Sequence, residues 1–518
     1  MTGSLHAGLA GTPSEVDLVV VGLGVTGAGV ALDAVTRGLT VLAVDAHDLA
    51  FGTSRWSSKL VHGGLRYLAH GQVGVAHESA VERGVLMEVT APHLVRPMPY
   101  VVPFTASTDA AYHLKMRAGL AAGDLLRRGA RTTRETLPRP RHLGTTEVLS
   151  LVPGLRTDGL RGGWLSWDGQ LEDDARLVTT IARTAVDHGA HLRTRARVLA
   201  ASGTGVRLRD ERGAGGGELE VTARAVVNAT GVWAGTLDDG VRLRPSRGSH
   251  LVLRASTLPD VTTAVFVPVP GETSRFVMVL PQPDGTLYVA LTDVPVDGPV
   301  PDVPTPSEDE VGYLLGVLGT AFARPLGRAD VAGAYAGLRP LLDAGDGSGA
   351  TADLSRRHAV LTGRDGLVTV VGGKLTTYRR MAQDAVDRAV EVARLDAGPC
   401  TTRGLPLLGA APRAELAALA ASAPSPRLVR RYGTEAALVL DAAREATGLG
   451  DDELLAPVAD GVPTTLAELV FGVVHEGAHD VDDLLDRRTR VGLLAPDRAA
   501  VVPAAERALA LVAGARTG

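Results

Sequence analysis

The amino-acid sequence predicts an α/β plus α+β fold. A Rossmann-like unit comes first, an antiparallel sheet follows, and the C-terminal region is helical. Three observations predict this. Asp17 to Asp45 reads strand, glycine turn, helix, strand. Short apolar segments at Leu251–Leu253, Thr263–Val267, Phe276–Leu280 and Thr286–Leu291 alternate with Pro/Gly turns, the mark of an antiparallel sheet. From Gly404 onward the pattern is mostly helical, with turns at Gly433, Gly448 and Gly461.

The first unit carries the strongest signal. Leu18 to Val21 is an apolar, mostly β-branched run that suits a buried parallel strand. Gly22, Gly24 and Gly27 follow at G-x-G-x-x-G spacing. The first permits a tight turn, the second lets backbone N–H groups approach a pyrophosphate, and the third lets helix pack on strand. Ala28 to Thr36 continues as a helix, with Gly38 as its stop. Val41 to Val44 is the second strand, and Asp45 ends it. A carboxylate there accepts hydrogen bonds from a ribose hydroxyl and repels a 2′-phosphate. A bare glycine motif also marks ordinary turns. All five parts within one unit of about 30 residues point to a dinucleotide.

The remaining elements follow in order. Gly52 to Ser58 is small and polar, as a loop around a ligand is. Gln72 to Thr90 has helical spacing, and Tyr100 to Phe104 reads as a strand after a proline-broken stretch. His113 to Arg128 reads as an amphipathic helix. Its Lys115, Arg117, Arg127 and Arg128 continue into Arg131, Arg134, Arg139 and Arg141. This run is either a solvated face or a contact with anionic lipid headgroups. Gly169 to Gly189 is expected as one long helix, His191 to Ala201 as a strand, Gly213 to Gly217 as a turn and Glu218 to Val227 as a strand. Pro295 to Pro306 is loop-like, Glu308 to Phe322 helical, Gly366 to Val371 a strand, and Tyr378 to Arg394 a helix. No internal repeat is visible.

Composition bounds the function. A chain of 518 residues with a net charge of −5 is not a general nucleic-acid binder. Cys400 is the only cysteine, which excludes an intramolecular disulfide, a thiol metal cluster and a redox dithiol. No metal site is expected. No apolar run reaches the length of about 18 residues that a spanning helix needs. The first 15 residues lack the basic start and apolar core of a signal peptide. A reducing, cytoplasmic setting is therefore expected.

Two further glycine turns join the first. Asn228 to Gly231 ends a strand, and Gly372 to Lys374 lies between strand and helix. Each is either an ordinary turn or a set of N–H groups aimed at a ligand. Several such turns along the chain suit a longer ligand than NAD, such as FAD. The cationic candidates are Arg66, Arg339 and Lys374, since a guanidinium fork or an ammonium suits a phosphate. His62 and His250 are the histidines that stand out. His250 enters a strand, where a histidine is either structural or catalytic.

Six collinear motifs carry a family resemblance. They are S-S-K-L-V-H-G-G-L-R-Y-L at Ser57–Leu68, D-D-A-R-L at Asp173–Leu177, V-N-A-T-G-V-W at Val227–Trp233, R-G-S-H at Arg247–His250, Y-A-G-L-R-P-L at Tyr335–Leu341 and G-G-K-L-T-T-Y-R at Gly372–Arg379. Together they resemble the FAD-dependent (aerobic-type) glycerol-3-phosphate dehydrogenases, which are D-amino-acid-oxidase-like flavoproteins. D-L-L-D-R-R-T-R at Asp483–Arg490 resembles that family's cap domain. Two departures stand out. The family's G-T-T-D turn is A-L-T-D here, at Ala290–Asp293, and Gly123–Asp124 replaces a commoner tyrosine.

The resemblance implies a Rossmann-like FAD-binding domain in three pieces, 16–104, 171–240 and 357–396. It implies a substrate domain with an antiparallel sheet at 105–170 and 241–356, and a helical cap at 404–518. The expected reaction is oxidation of sn-glycerol 3-phosphate to dihydroxyacetone phosphate by hydride transfer to FAD. Electrons would pass to a membrane quinone, with the protein peripheral on the inner face of the cell membrane. His250 is the first expectation for the base and His62 the second. Arg66, Arg339 and Lys374 would hold the phosphate and polarise the oxygen, with Tyr67 adding a hydrogen bond. FAD contacts are expected from Gly22, Gly24, Gly27, Asp45, Ser57, Ser58, Lys59, Ala229, Thr230, Gly231, Gly372, Gly373, Lys374, Leu375 and Thr376. His47 and His62 are the side chains open for a covalent flavin link, though non-covalent binding is expected. Oxygen as acceptor, another hydroxy acid or amino acid as substrate, and a redox-silent FAD scaffold are the alternatives. A homodimer is left open.

Overall fold

The computed structural model describes residues 3–64, 67–68, 71–106, 108–213, 216–272, 275–343 and 357–517. Arg66 lies outside them. The β-branched run extends to a strand at Glu15–Val21, and the glycine turn opens a helix at Val25–Thr36. Parallel pairing joins that strand to Val41–Val44 on one side and to Glu218–Asn228 on the other. Among the described residues the resulting sheet has nine strands and includes Val368–Gly372, far along the chain. Helices Val25–Thr36, Asp174–Asp187 and Tyr378–Ala393 supply Ala28, Ile181 and Ala382 to one buried core over it. A smaller apolar layer with Val19, Val226 and Leu208 closes the other face.

The second sheet has ten strands among the described residues. Its strand Ser246–Arg254 lies between Thr286–Ala290 and Val331–Arg339, both antiparallel. Period 2 divides its side chains. Leu251 and Leu253 enter a core that includes Leu314 and Leu318 of helix Glu308–Ala321. His250 and Ser246 turn to the opposite face, towards the first domain.

Several expectations are corrected. Val95–Pro103 and Leu60–Val61 pair in this second sheet, not in the first, so 16–104 is not wholly part of the nucleotide domain. Pro97, Pro99 and Pro103 are tolerated because alternate positions put their missing N–H groups along one side of the strand. Gly169–Leu171 is the end of strand Gly163–Leu171, not the start of a helix. Cross-strand pairing to 95–103 overrides the local pattern, and the helix starts at Asp174. Asp173 caps it, its side chain accepting from Ala175 N at 3.0 Å. The expected strand His191–Ala201 breaks in two at Arg195, whose φ is +55°. The C-terminal region is mostly helical, yet it carries a hairpin, Pro457–Ala459 with Val462–Thr465.

Buried ion pairs join that region to the first domain. Arg488 donates to both Asp48 oxygens at 2.8 and 2.9 Å, and Arg487 Nε donates to Asp48 at 2.6 Å. Arg183 meets Glu435 in a fork, at 2.6 and 2.9 Å. Arg176 pairs with Glu476 with neither side chain open to solvent. Burial alone would raise the Asp48 pKa, but the charges of Arg488 and Arg487 outweigh it and hold the carboxyl far below its usual range. That stabilisation is full above pH ~4, the unfolded value, and is lost as pH falls towards the depressed folded value.

Asp48→Asn leaves two buried guanidiniums without their shared charge. A loss of about 3–5 kcal/mol of stability is expected at neutral pH, and the gap from the parent should narrow in acid. Urea unfolding at neutral and acid pH measures both.

Candidate functional site

One cavity of ≈ 1440 Å³ runs between the two sheets. Its first end is the glycine turn. Gly22 has φ +99°, and a Cβ there would lie 2.8 Å from the Ala229 carbonyl oxygen, so only glycine fits. Gly27 is not on the wall; it lets the helix approach Gly22, which is the packing role its spacing implies. Helix Val25–Thr36 has no acid in its first turn and no side-chain cap. Gly24, Val25 and Thr26 line the cavity, so the partial positive charge of the helix N-terminus lies at its wall, as an anion site needs. Ser54 Oγ accepts from Val25 N at 2.9 Å, a contact the sequence pattern did not reveal.

Asp45 sits beside this turn. Its two oxygens accept from Leu23 N at 2.7 Å and His47 N at 2.8 Å. Each carboxylate oxygen keeps further lone-pair capacity for a ribose hydroxyl. Burial, partly offset by those bonds, pushes its pKa up to about 6. His47 stacks on Phe51 at 3.8 Å. Ala229, Thr230 and Gly231 continue the wall, and Asn228 sets their turn by accepting from Thr230 Oγ1 at 2.6 Å. Gly372, Gly373, Lys374, Leu375 and Thr376 line the cavity further along, with Ser57 and Ser58. The residues present fit FAD: a glycine cradle that a Cβ would fill, a helix terminus for pyrophosphate, and a buried carboxylate for ribose.

Lys59 is a correction. It is fully buried and absent from the wall. Its ammonium donates to Arg55 O at 2.9 Å and meets Asp174 at 3.1 Å. Its side chain fixes the loop rather than lining the cavity.

The far end brings together residues from distant segments. His62, Tyr67, His250, Arg339 and Lys374 all line it. Arg339 Nη1 donates to Asp293 and to Ser246 Oγ, each at 3.2 Å, and Nη2 donates to Thr292 O at 3.1 Å. Thr292 and Asp293 belong to the A-L-T-D turn, so its changed first half leaves the Arg339 supports in place. Lys374 Nζ donates to Ser79 Oγ and lies 4.1 Å from the Tyr67 ring centre. Asp168, on the wall, accepts from Gly63 N at 3.1 Å and from Arg83 at 2.6 Å, which holds the H-G-G turn. Ser79, Arg83 and Asp168 were missed because they sit in unremarkable helix and strand patterns.

His250 pairs across the sheet with Tyr335, and the rings stack at 4.5 Å and 6°. Burial, then the charges of Lys59 and Arg339, hold its pKa well below the usual imidazole value. It is neutral at pH 7. A third stretch of wall is aromatic and apolar: Tyr100, Tyr112, Met116, Phe266, Phe276 and Met278. Tyr112 and Met116 come from helix Ala110–Gly129.

Comparison with known proteins agrees with this geometry. Residues 17–379 match the family model "FAD dependent oxidoreductase", and 400–515 match "C-terminal domain of alpha-glycerophosphate oxidase". The chain is 51% identical to glycerol-3-phosphate dehydrogenase 1 of Mycobacterium tuberculosis over 95% of its length and 94% of that protein's. Its fold is similar to that of a glycerol-3-phosphate dehydrogenase from Bacillus halodurans solved with FAD. That match has a TM-score of 0.74 and 26% identity, covering 98% of this chain and 93% of that one. L-alpha-glycerophosphate oxidase from Mycoplasma pneumoniae, with FAD bound, shares the fold at a TM-score of 0.56 and 16% identity, covering 76% and 99%.

Asp45→Ala should weaken FAD through lost ribose bonds. A charge-assisted bond is worth about 1.5–3 kcal/mol, hence roughly 10- to 150-fold in affinity. Fluorescence titration of the deflavinated protein measures it. Acid precipitation should release all flavin to the supernatant, because His47 is held against Phe51 and no covalent link is expected.

Proposed function

The chain belongs to the FAD-dependent glycerol-3-phosphate dehydrogenase family, and from that premise we propose that it oxidises sn-glycerol 3-phosphate to dihydroxyacetone phosphate and passes the electrons to a membrane quinone. The observation that carries the substrate is that Arg339 and Lys374, from separate segments, line one cavity with His62, His250 and Tyr67. Cations brought from distant segments into one cavity suit an anionic substrate group. Bound FAD supplies the two-electron acceptor for the C2 hydride. Arg339 offers a fork to the phosphate, oriented by Asp293 and Thr292. Lys374 offers a point charge, held by Ser79. Arg66 completes the clamp in the resemblance. The C2 hydroxyl proton falls to one of the two imidazoles, His250 or His62.

The aromatic stretch supports the quinone. It gives a flat, apolar acceptor a place on the same cavity. Helix Ala110–Gly129 connects it to the outside. Tyr112 and Met116 face inward, while Leu114 and Leu125 are 68% and 64% exposed. These two leucines lie on one face, three turns apart. Lys115, Arg117 and Arg128 are exposed beside them, and Arg131 and Arg134 follow. Asp124 offsets part of the charge, meeting Arg128 at 3.0 Å and Arg139 at 3.9 Å. No helix among the described residues is long and apolar enough to cross a membrane. We place this face on anionic headgroups at the cytoplasmic side. Oxygen as acceptor is the second reading, favoured by the match of 400–515 to an oxidase domain. Stoichiometric peroxide with no quinone reduction would select it.

Arg339→Lys should fold but lose the bidentate fork. A loss of about 2–4 kcal/mol in transition-state binding is expected, or roughly 30- to 1000-fold in kcat/KM. Glycerol should be a very poor substrate, since it brings no anion to the clamp. A parent that prefers an alcohol without phosphate would refute the substrate.

Binding to vesicles with anionic lipid should exceed binding to neutral vesicles and weaken in high salt, because exposed charges are screened. Equal partitioning to both would remove the electrostatic contact.

A further inference from the structure

The proposed oxidation requires the C2 hydroxyl proton to reach an imidazole; His250 lines the cavity, but its Nε2 is already engaged by a side chain. Only 1% of the residue is exposed. Its Nε2 lies 2.8 Å from Ser58 Oγ. Its other partner is the Gly248 backbone. Tyr335 covers a ring face. Ser58, by contrast, is half-buried and lies on the cavity wall. Ser58 therefore touches both the cavity and His250 Nε2.

We propose that Ser58 takes the substrate's hydroxyl proton and hands its own to His250 Nε2, so that the two act as a relay. This rests on the reading of the substrate as glycerol 3-phosphate. The substrate O–H bond breaks as a new O–H bond forms at Ser58 Oγ. The former serine proton forms an N–H bond at Nε2, and no charge stays on the serine. The C2–H pair leaves as hydride, and reduction of the bound cofactor balances the oxidation. A hydroxyl serves here because it donates and accepts at once.

The surroundings are arranged for a transient proton. Lys59 and Arg339 are the cations nearest His250, and both disfavour its charged form. Asp174 sits behind Lys59 at 3.1 Å, and Asp293 behind Arg339 at 3.2 Å. Tyr335 is uncharged over the ring, and Tyr288 packs edge-on to it at 5.7 Å. The imidazole is therefore neutral before the reaction. Ser58 is held in register by its neighbours: Ser57 N donates to Asp174 at 2.9 Å, and Tyr335 Oη donates to Ser57 O at 2.9 Å.

The test is anaerobic flavin reduction by glycerol 3-phosphate in stopped flow, across pH, on the FAD-loaded protein. Ser58→Ala should keep FAD affinity within about twofold, yet slow reduction by about 100-fold or more, the scale of lost acid–base assistance. The parent's rate should fall on the acid side as His250 takes up a proton, and that fall should vanish in Ser58→Ala. Ser58→Thr, which restores a hydroxyl, should recover most of the rate. Ser58→Ala reducing at the parent's rate would overturn the relay and leave His62 as the acceptor. Slow reduction with the parent's pH profile intact would overturn it too, as would loss of FAD from Ser58→Ala. A parent whose flavin does not bleach with glycerol 3-phosphate would instead bring down the substrate reading itself.

Discussion

Lys59 Nζ lies 3.1 Å from Asp174 Oδ2, and neither side chain is open to water. A buried ammonium is costly unless it is paired and fully bonded. This one is bonded to the carbonyls of Arg55 and Ser57 as well. Those bonds wrap the loop 55–58 around the ammonium, and φ of +55° at Lys59 is part of that wrap. Everything at the reacting end then follows. Trp56 packs against Gly337, where a Cβ would lie 2.8 Å from the Trp56 carbonyl oxygen. Ser57 is pinned by Asp174 and Tyr335, and Ser58 is left facing both the cavity and His250. Asp174 heads the helix whose Arg176 reaches Glu476 in the C-terminal region. The active loop is thereby tied to the nucleotide domain, the substrate sheet and the cap at once.

Much of the fold was legible because local and global signals agree. Glu15–Val44 is apolar strand, glycine, helix and strand with an acid at the end, and each preference points the same way. The strands at 246–291 were legible from their turns. The errors arose where tertiary pairing beats local pattern. Gly163–Leu171 is a strand because Val95–Pro103 pairs with it along its length, which no local pattern reveals. The same applies to the hairpin at 457–465. In the site, glycines and Asp45 were readable because backbone geometry demands those residues. Lys59 was misread because a motif names a residue without its direction. Ser79 and Asp168 were invisible, since a supporting hydrogen bond leaves no spacing signature.

Two opposite uses of burial coexist in the molecule. At Asp48 and Glu476, charges are buried in complementary sets, so the desolvation cost is met by close partners and the pieces lock. At Asp45 and His250, burial is only partly compensated. Asp45 rises to about 6, and His250 is depressed well below its usual value. Incomplete compensation is the pattern expected where a ligand or a travelling proton supplies the missing partner. The locked sets stand between the pieces; the unfinished ones line the cavity.

That division also explains why the cavity can hold three chemistries without mixing them. The pyrophosphate end offers backbone N–H groups and a helix terminus, which bind anions without mobile cations. The far end offers Arg339, held by Asp293, Ser246 and Thr292, and Lys374, held by Ser79, so each charge is fixed in place. The aromatic stretch offers Tyr100, Phe266 and Phe276, with Phe266 stacked on Tyr100 at 4.2 Å, and little polarity. A charged substrate gains nothing there, and an apolar acceptor gains nothing at the clamp. The pyrophosphate end and the far end therefore present positive charge by different means, and helix Ala110–Gly129 adds both an apolar face, through Tyr112 and Met116, and a cation, Lys115, to the same cavity.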